Sequence, residues 1–139
     1  MTSNLFPFAE QSQRPGLIHV TLKGEALTTC FIHNVGVIGL QGIYILQPNS
    51  VNGKTWWFNK NGQSAIWYVP KGVSIRGNRW GIGHHAELGQ AIGFIASPDD
   101  VTEPQEATTW KYFNGFIWKL SNPGDITVTY ILNSKYGID

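Results

Sequence analysis

The sequence has little of what anchors or crosslinks many chains: one cysteine, few charges and no long apolar run. Cys30 alone can form no internal disulfide, and its neighbours predict a small buried hydrophobe. Charged residues make up 14% of the chain and the net charge is +1, which disfavours a nucleic-acid surface. No apolar run approaches the ~18 residues of a membrane-spanning helix, and residues 1–10 lack a signal-peptide pattern. We therefore expect a soluble protein without membrane insertion, either cytoplasmic or, as a domain of a longer protein, extracellular.

The chain length indicates one domain. At 139 residues, a chain can bury a core that needs neither disulfides nor metal. Residues 1–16 contain two prolines and mixed polarity, which predicts an N-terminal arm. We expect a single β domain over residues 17–139.

Three Asn-Gly dipeptides, at 52–53, 61–62 and 114–115, stand beside tryptophans. Asn-Gly favours tight hairpins because both residues tolerate the positive φ of a type I′ turn. Apolar and polar residues alternate over 18–23, as in a half-buried strand. Together these features predict an all-β fold, an antiparallel sandwich or partly closed barrel of about eight to ten short, hairpin-rich strands.

The turn at Asn61-Gly62 predicts a hairpin with two aromatic faces. As a two-residue loop it places three pairs opposite one another: Trp56 and Trp67, Phe58 and Ala65, and Trp57 and Ile66. A sheet with one wet face needs apolar residues on one side only. The second aromatic face should therefore be covered by another sheet, a partner or a ligand.

Other turn signals predict further strand boundaries. Gly77-Asn78 favours a hairpin that pairs Val73 with Ile82. Asn114-Gly115 favours one that pairs Phe113 with Phe116. Residues 27–35 continue the strand pattern, and the strand over 42–46 should end at Pro48.

The surplus aromatic face defines the candidate ligand site. Exposed aromatic rings beside amides suit glycan stacking, and Trp, Tyr and Arg also dominate protein–protein hot spots. The composition is compatible with either partner, so both alternatives stay open. The candidate ligand-binding residues are Trp56, Phe58, Lys60, Gln63, Trp67, Arg76 and Arg79.

Charge is unevenly distributed along the chain. The segment 54–79 carries five basic residues and no acid, whereas 87–106 carries five acids and no base. Two solvated loop sets would explain this pattern. Head-to-tail association of the basic edge 54–79 with the acidic loop 87–106 would instead build a homo-oligomer. The second hypothesis is accordingly a structural subunit of a coat, a matrix or a large complex.

Catalytic signals are sparse. A small hydrolase could use Glu87 or Asp99 with His84 or His85. Adjacent histidines on a strand point to opposite faces, so they would not chelate a metal together. We predict no metal and no cofactor, and we favour a non-enzymatic binding module over the hydrolase.

Residues 42–130 resemble an uncharacterised Trp- and Gly-rich β module that recurs in multidomain proteins of protists and marine invertebrates. The matching elements are Gly42-x-Tyr44, Asn52-Gly53-Lys54, Trp57-x-Asn59, Ile66-Trp67-Tyr68, Trp80-x-Ile82-Gly83, Leu88-Gly89, Pro104, Thr109-Trp110 and Trp118. The resemblance implies no catalytic residues. It implies that Trp57, Ile66, Tyr68, Trp80, Trp110 and Trp118 are framework positions. The chain departs from the pattern at Trp56 and Phe58, which marks these two for a particular role.

Overall fold

The protein folds as nine antiparallel strands in one strongly curled sheet, a half-barrel. The structure is a computed structural model, and it describes residues 16–30, 37–74, 77–91 and 93–131. The order across the sheet is β8-β7-β6-β5-β4-β3-β2-β1-β9. The predicted all-β, hairpin-rich class is confirmed, in its partly closed barrel form.

The strands follow one another along the chain with short helical turns between some of them. The strands are β1 (Leu17–Leu22), β2 (Gly42–Val51), β3 (Lys54–Asn59), β4 (Ser64–Val69), β5 (Arg79–His84), β6 (Ile95–Ser97), β7 (Lys111–Phe113), β8 (Trp118–Leu120) and β9 (Ile126–Ile131). The helix α1 spans Gly24–Thr29, and 3-10 turns span Val37–Leu40, His85–Glu87 and Pro104–Glu106. No helix among the described residues has the length and apolar character needed to cross a membrane.

The larger hydrophobic core lies on the inner face of the curl. It joins residues of β1 to β7 and of β9, which requires distant parts of the sheet to bend toward each other. Ile18, Val20 and Leu22 of β1 contribute their alternating apolar side chains, as the period-two pattern predicts. The largest fully buried inner side chains are Trp57, Trp80, Tyr44 and Tyr112.

The hairpin at Asn52-Gly53 forms as predicted. Asn52 has φ 55° and Gly53 has φ 83°, and the turn joins Val51 directly to its partner Lys54. The prediction that the strand before it ends at Pro48 is wrong. The strand β2 continues to Val51, and its register shifts between Leu46 and Ser50. Pro48 is tolerated because it lies in this bulge, where no regular ladder bond is required.

The β3–β4 hairpin has the predicted register but a different turn. Phe58 pairs with Ala65 and Trp57 with Ile66. The turn spans residues 60–63, and its positive φ is at Gln63 (54°) instead of at Asn61 or Gly62. The side chain of Asn59 caps the turn by accepting a hydrogen bond from the Gly62 amide at 3.2 Å.

The predicted hairpin at Gly77-Asn78 is wrong. Ile82 of β5 pairs with Ile66 of β4, so Val73 is not its partner. β4 ends at Val69, and the described residues between it and β5, 70–74 and 77–78, are not in a strand. β5 pairs with β4 and not with the segment around Val73. The aromatic and β-branched residues of β4 favour this pairing, because it joins two six-residue strands.

Two further predictions are corrected. In the β7–β8 hairpin Phe113 pairs with Trp118, and Phe116 belongs to a four-residue turn. The side-chain oxygen of Asn114 accepts bonds from the amides of residues 116 and 117, both at 2.9 Å, and this lengthens the turn. Residues 24–29 are helical instead of extended, and 31–36 lie outside the described residues. The predicted arm also lies outside them, apart from Gly16.

Candidate functional site

The outer face of the β3–β4 hairpin is the predicted surplus aromatic face, and the chain covers it with its own residues. Trp56 and Trp67 are 6% and 1% exposed and form a second cluster with Ala65 and Val69. Half-buried side chains from neighbouring segments pack against this cluster. The sequence pattern predicts a cover by another sheet, a partner or a ligand; in the structure, residues of the same chain, Val51, Phe58 and Leu88, pack against the cluster.

Specific contacts fix this cover. The indole N–H of Trp67 donates to the carbonyl oxygen of Gln90 at 3.0 Å, and that of Trp56 donates to Asn49 Oδ1 at 3.1 Å. The imidazole of His85 stacks on Trp56 with 5.8 Å between ring centroids and an 18° interplanar angle. It also contacts Phe58 at 4.6 Å. Both indoles are therefore oriented by the protein itself and expose little ring surface to a ligand.

Glycines of β5 make room for this packing. Gly81 lies directly opposite Trp67, and Gly83 lies opposite Ala65. The remaining cleft, between Trp67 and Trp118, has a volume of about 10 Å³, which is roughly the space for one water molecule. This part of the outer face is closely packed.

The other predicted site residues are dispersed. Lys60 and Gln63 are exposed in the turn, where the Gln63 amide donates to the Lys60 carbonyl at 2.7 Å. Arg79 is half-buried at the start of β5, opposite Val69. Arg76 lies outside the described residues. The predicted set therefore does not converge on one described pocket.

A polar groove lies instead at one end of the half-barrel, which we call the mouth groove. It has a volume of about 300 Å³ and is lined by Ser50, Gly53, Lys54, Thr55, Thr102 and Glu103. Thr55 is two residues from Trp57 on β3, so both residues lie on the inner face of the sheet. Ser50 of β2 pairs with Thr55. The groove therefore begins where the inner core ends. The open mouths of β-barrels are common ligand sites.

Hairpin geometry positions one wall of the mouth groove. Asn52 turns the chain and its side-chain amide donates to the carbonyl oxygens of Tyr68 and Gly89, at 2.8 and 3.0 Å. The Lys54 ammonium lies 4.7 Å from the centre of the Tyr68 ring, a cation–π distance. Burial, and secondarily the negative charge of Asp100, raise the pKa of Tyr68, so its phenol remains protonated at neutral pH.

The acidic loop that forms the opposite wall is held by side-chain hydrogen bonds. Asp99 Oδ2 accepts bonds from the amides of Thr108 and Thr109, at 2.8 and 3.0 Å. Asn78 donates to Asp100 Oδ2 at 3.3 Å. The Trp80 indole N–H donates to the carbonyl oxygen of Val101 at 3.0 Å. These bonds tie the loop over the core immediately before Thr102 and Glu103.

Three of the four predicted hydrolase residues are engaged in structural contacts, whereas Glu87 Oε1 is buried with no hydrogen-bond partner among the described residues. Asp99 anchors the acidic loop, His84 Nδ1 accepts from the Ala86 amide at 3.0 Å, and His85 stacks on the outer cluster. Within the described part of the chain, no three His, Cys, Asp or Glu side chains are grouped as a metal site would require. Cys30 is buried as predicted, and burial raises its thiol pKa to about 12.

Sequence reasoning missed the mouth groove as a unit. Lys54 and Glu103 were assigned to separate charged segments, basic and acidic, yet they line the same groove in one chain. The segregation of charge along the sequence was the available signal. It indicated complementary surfaces, and the structure brings Lys54 and Glu103 into the lining of one groove.

The fold and this groove define an all-β half-barrel with a polar mouth. Comparisons with protein-family models, with curated proteins and with solved structures found no match to this chain.

Proposed function

We propose that this protein is a non-enzymatic binding module that takes a glycan in the mouth groove. The observation that carries the proposal is a groove of about 300 Å³ whose lining combines three hydroxyls, one ammonium and one carboxylate. This volume is at the lower end of the range for small-ligand sites, roughly 300–1,000 Å³, and suits one or two sugar units.

The chemistry of the lining suits a polyhydroxylated ligand. Hydroxyls of Ser50, Thr55 and Thr102 can each donate and accept, as sugar hydroxyls do. Lys54 adds a donor, and Glu103 adds a negative charge, although its side chain also accepts the capping bond from the Glu106 amide. Glycoside hydrolysis commonly uses a pair of carboxylates across the scissile bond, whereas one carboxylate is present in the described lining. The groove therefore supports binding better than hydrolysis.

Glycan binding is tested by calorimetric titration of neutral and acidic oligosaccharides against the intact protein. Lys54→Met keeps the aliphatic stem and removes the ammonium, so affinity should fall about tenfold or more, the equivalent of a charged hydrogen bond. Lys60→Met is the matched control, because Lys60 is exposed at the β3–β4 turn and away from the groove lining. Binding that depends on Lys60 but not Lys54 would contradict the mouth-groove assignment, and no binding to any oligosaccharide would reject the glycan.

Tryptophan emission provides an independent readout. Trp80 is hydrogen-bonded to Val101, next to the groove residue Thr102, so a bound ligand should perturb its environment. Trp80→Phe should abolish the ligand-induced emission change. It also removes the indole bond to Val101 that holds the loop, so calorimetric binding should become weaker but stay measurable. A response that instead disappears with Trp56→Phe would locate the ligand on the outer face.

An assembly subunit is the second candidate function. Its support is the set of exposed apolar side chains on the β7–β8 hairpin, namely Phe116, Ile117 and Leu120. Sedimentation across a range of protein concentrations tests it. A concentration-dependent oligomer that Phe116→Ser dissolves would favour assembly, and a monomer throughout would reject it.

A further inference from the structure

The β7–β8 hairpin exposes a cluster of apolar side chains at one edge of the sheet. Phe116 is 88% exposed, Ile117 59% and Leu120 62%. Three large exposed hydrophobic residues within five positions differ from the scattered single ones of an ordinary surface. They belong to the hairpin whose second strand, β8, is the last strand of the sheet. The cluster therefore adjoins an open backbone edge.

The direction of the β8 peptide groups follows from bonds at both ends of the hairpin. The Asn114 amide donates to the carbonyl of Ile117 at 3.1 Å, and the Ser121 amide donates to that of Trp110 at 3.0 Å. Bonding alternates along an antiparallel strand, so Lys119 between them directs its peptide groups toward β7. Trp118 and Leu120 direct theirs to the other side, where no described strand lies. These two residues present N–H and C=O groups to an incoming strand.

The side chains of β8 alternate in character between the two faces. Lys119 pairs with the inner residue Tyr112, so it lies on the inner face. Trp118 and Leu120 lie on the outer face, opposite Phe113 and Lys111. A strand paired to this edge would meet a cation on one face and apolar groups on the other. Complementarity requires acidic residues alternating with apolar ones.

A second copy of β8 is a poor occupant of this edge. Twofold pairing centred on the three-residue strand would place Lys119 opposite its symmetry mate, at the close spacing of a non-hydrogen-bonded pair. Like charges directly opposite each other destabilise such a pair. Among the described residues, Lys119 forms one weak ion pair, with the exposed carboxylate of Glu25 at 4.0 Å, and the Lys119 side chain is itself 43% exposed.

We propose that β8 is a docking edge for an extended segment of a partner protein in which acidic and apolar residues alternate. The segment adds a tenth strand to the sheet. Its main chain bonds to the peptide groups of Trp118 and Leu120, its acidic side chains face Lys119, and its apolar side chains pack on Leu120 and Trp118. Strand addition of this kind takes affinity from main-chain hydrogen bonds and specificity from alternate side chains.

A labelled peptide that alternates valine and glutamate is the probe, with fluorescence anisotropy on the intact protein as the readout. It should bind at least about tenfold more tightly than the same peptide with lysine in place of glutamate, because the attraction to Lys119 becomes repulsion. Lys119→Ser should remove most of that preference, and Lys60→Ser, the exposed control, should retain it. Equal binding of the two peptides would overturn the proposal.

The backbone assignment has a sharper test in the pair Leu120→Pro and Leu120→Ala. Proline removes the outward N–H without breaking a β7–β8 ladder bond, and an edge strand tolerates proline there. Alanine removes the same side chain but keeps the N–H. Binding should be lost in the proline variant and weakened less in the alanine variant. Equal binding by both would contradict strand addition.

Peptides N-methylated on alternate residues repeat this test without changing the protein. One set of alternate positions should abolish binding, since those amides face β8, and the other set should leave it nearly unchanged. Equal effects of the two sets would overturn the proposal. So would sedimentation showing that the protein forms dimers that the peptide cannot dissociate.

Discussion

A Cβ atom placed on Gly62 would overlap the carbonyl oxygen of Gly39. The turn between β3 and β4 thus packs directly on the backbone of the 3-10 turn Val37–Leu40. Ser64 strengthens this junction, because its hydroxyl donates to the same Gly39 carbonyl at 2.6 Å. Glycine is required at position 62 for close approach of two backbones and not for positive φ.

Gly62→Ala should destabilise the protein by roughly 1–3 kcal/mol, the usual cost of forcing an extra carbon into a packed site. Gly72→Ala is the matched control, since a Cβ there meets no atom within 4 Å and the residue is exposed. Its effect should lie within about 0.5 kcal/mol of zero. Chemical denaturation followed by tryptophan fluorescence measures both. Equal losses in the two variants would contradict the contact with Gly39.

Trp67→Ala should lower the free energy of unfolding by about 3–5 kcal/mol, because a nearly fully buried indole leaves a cavity and an unpaired carbonyl at Gln90. Phe116→Ala, at an 88% exposed aromatic residue, should change it by less than about 0.5 kcal/mol. Thermal unfolding distinguishes the two. A Trp67 variant of unchanged stability would restore the outer face as a candidate ligand platform.

Alkaline pH should destabilise the fold in part through Cys30. Its thiol pKa is about 12 in the folded protein, against a reference of 9.0. The unfolded chain therefore releases this proton first, so the contribution of Cys30 is complete below pH 9 and declines as pH rises toward 12. For one such group, the free energy of unfolding can fall by at most about 1.4 kcal/mol for each unit of pH.

Unfolding free energies measured from pH 8 to pH 10.5 in the wild type and in Cys30→Ala test this contribution. Alanine lowers stability at every pH but should reduce the alkaline slope. Burial also raises the pKa of Tyr44, so a residual slope should remain in the variant. Parallel pH profiles for the two proteins would show that Cys30 does not contribute.

Asp99→Ala should loosen the acidic loop, because the amides of Thr108 and Thr109 lose their shared acceptor. We expect a loss of about 1–3 kcal/mol and faster hydrogen exchange at these two amides. Asp99→Asn retains a side-chain oxygen and should keep most of the protection. Unchanged hydrogen-exchange rates at the Thr108 and Thr109 amides in Asp99→Ala would show that Asp99 does not anchor the loop.

Local sequence signals predicted the register of one hairpin better than its turn. In β3 and β4 a two-residue loop at Asn61-Gly62 predicts the pairing of Phe58 with Ala65, and the observed turn over residues 60–63 keeps that register. The strands of the β7–β8 hairpin are only three residues long. The Asn114 side chain lengthens the turn by accepting hydrogen bonds from the amides of Phe116 and Ile117. That bonding depends on a side-chain rotamer, which a dipeptide motif does not specify.

Long-range competition explains the remaining differences. Ile82 pairs with Ile66 and not with Val73, which is nearer in sequence. This choice depends on which pairing extends the whole sheet, and a short sequence motif does not report on that. The mouth groove has the same origin. The Asn52-Gly53 turn and the loop at Thr102 and Glu103 meet only after the sheet has curled. Sequence reasoning identified the aromatic surplus on β3 and β4, but it could not show that residues near Gln90 cover it.

The placement of β1 between β2 and β9 has a consequence for how the chain acquires its fold. Thr21 and Thr127, whose hydroxyls are hydrogen-bonded across this pair, are 106 positions apart in sequence. During synthesis β1 therefore waits, with one edge open, until β9 has emerged. Pairings of such long range slow folding, to the milliseconds-to-seconds range typical of β domains. Among the described strands β9 is the last along the chain, so a ribosome-bound chain lacking β9 should be a substrate for chaperones.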